Sequence, residues 1–179
     1  IAGERGLVNL SMIQHAAESL PFADASLDLV TSRVAAHHFE NLEAALDEAS
    51  RVLKIGGSLV IADSISPEED AVSNWMNDIE LRRDFSHVEN RKVSVIQRML
   101  AERCLELVGD ETTRVYLMFN EWVARTQVPK GEVDALRQDF MSATPEVKKA
   151  FHVETPDEDD NFRFSWPCWI FRAIKKRSP

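Results

Sequence analysis

Two short segments combine residue types that can exchange protons near neutral pH. The first is the pair His37-His38, and the second is the loop Asp84–His87 (DFSH). Because histidine titrates close to neutrality, an imidazole in either segment suits a base or a hydrogen-bond donor. Neighbouring residues of a helix point about 100° apart, so we expect one of the paired histidines to face a substrate and the other to be structural. Asp84 and His87 have two interpretations, as substrate-site residues or as a pair that braces its own loop.

Metal chemistry is not indicated by this pattern. No third ligand is spaced to join the paired histidines in a metal site. The carboxylates of 156–161 (PDEDDN) are typical of a solvated loop. Cys104 and Cys168 lie in apolar contexts without metal-ligand spacing. They are predicted to be buried thiols in a reducing, cytoplasmic compartment.

Two short apolar strands and one amphipathic helix are expected to position the histidine pair. Residues 27–31 (LDLVT) and 58–63 (SLVIAD) are each typical of a buried strand. Between them, apolar residues recur at helical spacing over 42–53, and Gly56-Gly57 is expected to end that helix as a left-handed cap. This order predicts a right-handed βαβ crossover in a parallel sheet.

The carboxyl end of the first strand is the predicted ligand-binding edge. Ser32 and Arg33 follow that strand directly, and His37 and His38 come on the next turn. Ligands of open α/β sheets bind at this edge, so these residues are candidates to line the site.

The rest of the chain predicts further helices and two more strands. Ser66 and Ser94 each have the type and position of a helix N-cap. Pro167 cannot donate to a ladder, so a final central strand should begin after it, at Cys168. The other predicted elements are a helix ending near Asp84, a strand over 113–119, and short helices over 121–127, 132–141 and 145–151.

Composition excludes several classes of partner. The formal net charge is −9 and the sequence pI is about 5.1, which argues against non-specific binding to nucleic acid or to an anionic membrane surface. No apolar run approaches the ~20 residues that a membrane-spanning helix requires.

Three segments carry a resemblance to a known family. They are ESLPFADASLDLVTSR (18–33), HHF (37–39) and ALDEASRVLKIGGSLVIAD (45–63). Together they resemble the second half of a class I S-adenosylmethionine-dependent methyltransferase of type 11, the group that includes ubiquinone/menaquinone-biosynthesis enzymes. A dehydrogenase is a distant alternative, since no glycine-rich dinucleotide fingerprint is present.

The resemblance implies a fold, a cofactor and a site. The fold would be a Rossmann-like, mostly parallel sheet with an antiparallel final strand between the strands containing Ser58 and Tyr116. The chain would be one partial domain, with sheet core over 1–65 and 108–179 and a helical lid over 66–107. The cofactor would be S-adenosylmethionine and the acceptor a small molecule. The implied cofactor-binding residues are Ala16, Ala17, Glu18, Ser32 and Arg33, and the implied catalytic residues are His37, His38, Asp84 and His87.

Departures from the family pattern concern the cofactor. The glycine-rich turn and the ribose-binding acid are absent, and at about 30 residues per strand–helix–strand unit roughly 60 residues of the pattern are not here. Ala16 stands where the family has an aspartate that binds adenine. These differences predict a truncated methyltransferase with impaired cofactor binding. The alternative is a non-catalytic remnant that serves association.

An N-terminally truncated sheet would leave the strand over 27–31 with an open edge. Residues 1–7 are expected to end a helix, and 8–15 to form a strand. An open apolar edge pairs readily with another strand. We therefore expect either the strand over 8–15 to cover this edge or two chains to form a homodimer through it.

Overall fold

The computed structural model describes residues 9–177. Its strands and helices are numbered in chain order. They are β1 (Leu27–Arg33), a 3₁₀ turn (Ala36–His38), α1 (Leu42–Val52), β2 (Leu53–Ser64), α2 (Asp70–Arg83), α3 (Val93–Glu102), β3 (Leu105–Met118), α4 (Phe119–Ala124), α5 (Lys130–Ser142), α6 (Pro145–Ala150) and β4 (Arg163–Lys175).

The four strands form one mixed sheet in the order β1-β2-β4-β3. The β1–β2 pair is parallel, and β4 runs antiparallel to both of its neighbours. The prediction that the last strand lies between the Ser58 and Tyr116 strands is confirmed. Pairing of β4 with β2 begins at Cys168, as expected from Pro167, although β4 itself starts earlier and pairs with β3 from Arg163.

Two hydrophobic cores are joined by β4. Trp169 and Phe171 pack with α1 and α3, whereas Phe164 and Trp166 pack with α2, α4, α5 and α6. Because successive residues of a strand alternate between faces, these two pairs lie on opposite faces of the sheet. The long antiparallel pair of β3 and β4 therefore holds the two cores together.

The helix of the βαβ unit ends earlier than predicted. Helix α1 stops at Val52, and its cap is the extended Leu53 rather than the glycine pair. Gly56 and Gly57 instead lie in an irregular start of β2, where Leu53 pairs with Leu27 but the regular register resumes only at Ser58. Gly56 has φ +82°, and a Cβ on Gly57 would meet the Lys54 carbonyl oxygen at 2.9 Å. The predicted helix cap is thus a tight bend within the strand.

Both serine N-caps were predicted wrongly. Helix α2 begins at Asp70, because Ser66 is buried in a single bridge with Lys92 and donates its N–H to Arg91. Helix α3 begins at Val93, so Ser94 is inside the first turn, and its hydroxyl donates to Glu68 instead. In both cases a tertiary partner replaces the local cap.

The segment before β1 does not form the predicted strand. Residues 9–15 are irregular and Met12 is 95% exposed, so no strand from this segment covers β1. The predicted helix end over 1–7 lies outside the described residues. Within the described sheet β1 is an edge strand, and the homodimer through this edge stays a prediction.

The predicted division into a sheet core and a lid over 66–107 also stays a prediction. The two helices of this segment pack into different cores. Helix α2 packs into the core that contains Phe164 and Trp166, called the aromatic core below, and α3 packs into the core that contains Trp169 and Phe171. In the part of the chain that is described, no helix is both long and apolar enough to span a bilayer.

Candidate functional site

A cleft of about 350 Å³ lies at the carboxyl end of β1. Three of the predicted cofactor residues, Ala17, Ser32 and Arg33, line it together with apolar side chains of α1 and β2. The Ser32 hydroxyl oxygen is buried and has no hydrogen-bond partner among the described residues. Ala16 lies instead in a separate shallow depression, and Glu18 accepts the N–H of Asn41. The structure thus brings together three of the five predicted residues.

Arg51 holds the loop that forms one wall of this cleft. Its guanidinium donates to the carboxylates of Glu48 and Asp24 and to the carbonyls of Leu20 and Phe22. Glu48 also accepts the Leu20 N–H at 2.7 Å. The hydrogen bond from Arg51, followed by that from Leu20, lowers the pKa of Glu48 to about 2. This helix face therefore anchors the loop after Ala17.

A buried carboxylate at the end of β2 contacts the turn that carries His37 and His38. Asp63 is 6% exposed, and one of its oxygens lies 2.5 Å from His37 Nδ1. Its other oxygen accepts the N–H groups of Ala35 and Ala36 at 2.9 and 2.6 Å. Burial opposes ionisation, but these hydrogen bonds outweigh it and lower the pKa of Asp63. The carboxylate thus organises the turn that carries the histidines.

His38 is linked to the Asp84–His87 loop. Its Nδ1 lies 2.9 Å from the Ser86 carbonyl oxygen. Asp84 accepts both the N–H and the hydroxyl of Ser86, so the carboxylate braces its own loop. The imidazoles of His37 and His38 lie with centroids 4.1 Å apart. The segment is a short 3₁₀ turn rather than an α-helix, and the expectation that one of the two histidines faces a substrate stays a prediction.

His87 completes a cluster of three imidazoles. Its ring centroid is 5.8 Å from that of His37, its Nε2 lies 3.0 Å from Asn77 Oδ1, and only 4% of the residue is exposed. Burial, and then repulsion by His37 and His38, lowers the pKa of His87 to about 4. His87 is therefore neutral at physiological pH. Its ring contacts Asn77, whereas its backbone N–H donates to the Asp84 carbonyl oxygen at 2.9 Å.

All four predicted catalytic residues thus lie in one network, next to the cleft through Ala35. Asp63 and Asn77 were missing from the predicted set. Asp63 had a usable signal, since it is the acid that ends a predicted strand at the ligand-binding edge. Asn77 had none, because it lies in the middle of an amphipathic helix. No group of three ligands that could hold a metal occurs among the described residues.

The neutral state of buried His87 predicts acid sensitivity. In the unfolded chain this histidine titrates near its ordinary value of 6.5, so between that pH and about 4 the unfolded state binds more protons. Stability should therefore fall as pH falls through this range, and His87→Gln should flatten the fall. Urea midpoints measured from neutral pH down to about pH 5 test this. The exposed His152→Gln is the control, and an unchanged slope in His87→Gln would contradict the assignment.

The chain is similar in sequence to a known family and to two bacterial proteins. A family model described as a methyltransferase domain matches residues 2–61. The uncharacterized protein YafE of Escherichia coli is 39% identical over 153 residues, which cover 86% of this chain and 74% of YafE. The uncharacterized methyltransferase YcgJ of Bacillus subtilis is 29% identical over 175 residues, or 98% of this chain and 69% of YcgJ.

Solved structures agree with these relatives. A crystal structure of a methyltransferase candidate from Bacillus halodurans has a TM-score of 0.90 at 31% identity, covering 95% of this chain and 79% of that one. YcgJ itself has a TM-score of 0.94, with 99% of this chain and 76% of YcgJ covered. A geranyl diphosphate methyltransferase solved with S-adenosylmethionine shares the fold at 17% identity and a TM-score of 0.57. The chain therefore belongs to the methyltransferase family and has the class I methyltransferase fold.

Proposed function

We propose that this chain takes part in methyl transfer from S-adenosylmethionine to a small-molecule acceptor. The observation that carries the proposal is the cleft at the carboxyl end of β1, in which the buried Ser32 hydroxyl has no partner among the described residues. Ala35 and Phe39 line the cleft and flank His37 and His38 in the chain, so a bound ligand would be close to the turn that carries these histidines.

The cleft fits the cofactor in part. Ser32 would supply a hydroxyl, and Ala17 and Arg33 would form the walls. No carboxylate lines the cleft in the described part of the chain, so ribose hydroxyls and an adenine amino group would find no acid there. We therefore propose that cofactor binding by these residues alone is weak. When bound, S-adenosylmethionine supplies a methyl group on a positively charged sulfur.

The chain's own residues would contribute positioning and proton handling. Methyl transfer is a direct displacement, so alignment of the reactants and exclusion of water supply most of the acceleration. The loop held by Arg51 closes one side of the cleft, and the Asp84–His87 loop borders the histidines. His37 or His38 would hold or accept the proton that the acceptor loses.

The second candidate function is association without catalysis. β1 is an edge strand, and Leu29 on it is 54% exposed. An apolar open edge favours pairing with a second strand, so a homodimer through β1 follows from this alternative. It predicts a stable dimer that does not bind the cofactor.

Calorimetric titration with S-adenosylmethionine and S-adenosylhomocysteine, alongside a molar-mass measurement, distinguishes the two. We expect weak saturable binding to the wild-type chain. Ser32→Ala should weaken it by about threefold to tenfold, the effect of one neutral hydrogen bond. Ser142→Ala, exposed at the end of α5, is the matched control. A stable dimer without any binding would support the association function instead.

A further inference from the structure

The carboxylate of Asp63 decides where His37 carries its proton. The pKa of Asp63 is lowered, so its oxygens act only as acceptors. His37 Nδ1, 2.5 Å from one of them, must therefore donate. In the neutral ring this leaves the lone pair on Nε2. Free imidazole side chains favour the opposite arrangement, so the contact selects the less common tautomer.

The amide of Asn77 decides the tautomer of His87. Asn77 Nδ2 donates to the carbonyls of Ser73 and Asn90, and Asn77 Oδ1 accepts the Asn90 N–H at 2.7 Å. These backbone partners fix which end of the amide faces the ring. His87 Nε2 must therefore donate to Asn77 Oδ1, which leaves the lone pair on Nδ1. That nitrogen is buried without a hydrogen-bond partner among the described residues.

The carbonyl oxygen of Ser86 decides the tautomer of His38. A backbone carbonyl oxygen only accepts, so His38 Nδ1, 2.9 Å from that of Ser86, carries a proton. Its Nε2 then holds the lone pair. In its neutral form each imidazole thus directs its proton towards the protein and holds its lone pair on the other ring nitrogen.

We propose that Asp63 and Asn77 are positioning residues that fix these tautomers, so that His37 Nε2 is the atom that takes a proton from the methyl acceptor. The proton-transfer part rests on the function proposed above. Asp63 would stabilise the imidazolium that forms on His37, because its carboxylate accepts the Nδ1 proton. Neutral His87 keeps its lone pair on the buried Nδ1.

The methyl transfer and the proton transfer together conserve atoms and electrons. A new bond forms between the acceptor atom and the methyl carbon as the carbon–sulfur bond breaks, and that bonding pair stays on sulfur. The acceptor's proton passes to His37 Nε2, and the imidazolium then returns it to solvent. No oxidant or further co-reactant is needed.

Nitrogen-15 NMR of histidine-labelled chain tests the tautomers without any activity assay. We expect His37 to be protonated on Nδ1 and His87 on Nε2 at neutral pH. In Asp63→Asn, the new amide can donate to His37 Nδ1, so His37 should switch to the Nε2-protonated form while His87 stays unchanged. Asp110→Asn is the matched control, because Asp110 accepts a ring N–H from Trp169 elsewhere. A His37 proton on Nε2 in the wild type would overturn the proposal.

The NMR result does not depend on cofactor binding, which the separate calorimetric titration measures. Failure of this proposal and failure of the proposed function are therefore distinguishable.

Discussion

Asp63→Ala is expected to lower the free energy of unfolding by about 3 kcal/mol, because removal of one partner from a buried network strands the others. The N–H groups of Ala35 and Ala36 would lose their acceptor, and His37 would lose its Nδ1 partner. The turn that carries both histidines would then have no support from β2. Urea denaturation monitored by tryptophan fluorescence measures the loss.

Asp63→Asn is the control for this prediction. Its amide oxygen can still accept the backbone N–H groups, so it should cost about half as much as Asp63→Ala. If the two variants were equally unstable, the negative charge rather than the hydrogen bonds would support the turn. If neither lost stability, the proposed role of Asp63 in the turn would be wrong.

Phe140→Ala is expected to cost about 3–5 kcal/mol, the range for removing a buried phenylalanine ring. Phe140 is fully buried in α5, and its ring centroid lies 5.0 Å from that of Trp75 and 4.8 Å from that of Phe164. The cavity would open in the middle of the aromatic core, where stiff neighbouring rings cannot collapse to fill it. Equilibrium urea denaturation again gives the difference.

Phe85→Ala supplies the matched control for the aromatic core. Phe85 is 94% exposed, so the same truncation there should change stability by less than about 0.5 kcal/mol. A comparably small effect for Phe140→Ala would mean that the core repacks around the missing ring. The ratio between the two variants therefore measures how rigid this core is.

Helix α2 connects the aromatic core to the histidine cluster. Met76 and Ile79 are buried in the core, while Asn77 faces His87. Glu80 on the same helix is buried, and that burial raises its pKa. A displacement of α2 after a core substitution should therefore also shift the imidazoles. The Phe140→Ala variant can be inspected for this by the same NMR signals.

Local pattern was sufficient to predict the βαβ unit. The place of β4 between β2 and β3 was implied by the family resemblance, whereas the apolar period of α1 and the two strands of the βαβ unit came from spacing and turn residues. Each depends on neighbours in the chain or on burial of one face, which periodicity records directly. The position of His37 and His38 near the ligand-binding edge also followed, because they come directly after a strand that ends there, whereas the grouping of Asp84 and His87 with them was implied by the family resemblance.

Only the tertiary structure decided the details that control chemistry. Ser66 and Ser94 have the composition of helix caps, yet distant partners bind them instead. The contact of His37 with Asp63 spans 26 residues and that of His38 with Ser86 spans 48. Such hydrogen bonds depend on the exact path of turns, which apolar periodicity does not encode. The sequence alone therefore determined the βαβ unit and the histidine pair at its ligand-binding edge. Three-dimensional packing decided the helix starts, the contacts with Asp63 and Asn77, and which nitrogen of each imidazole holds a proton.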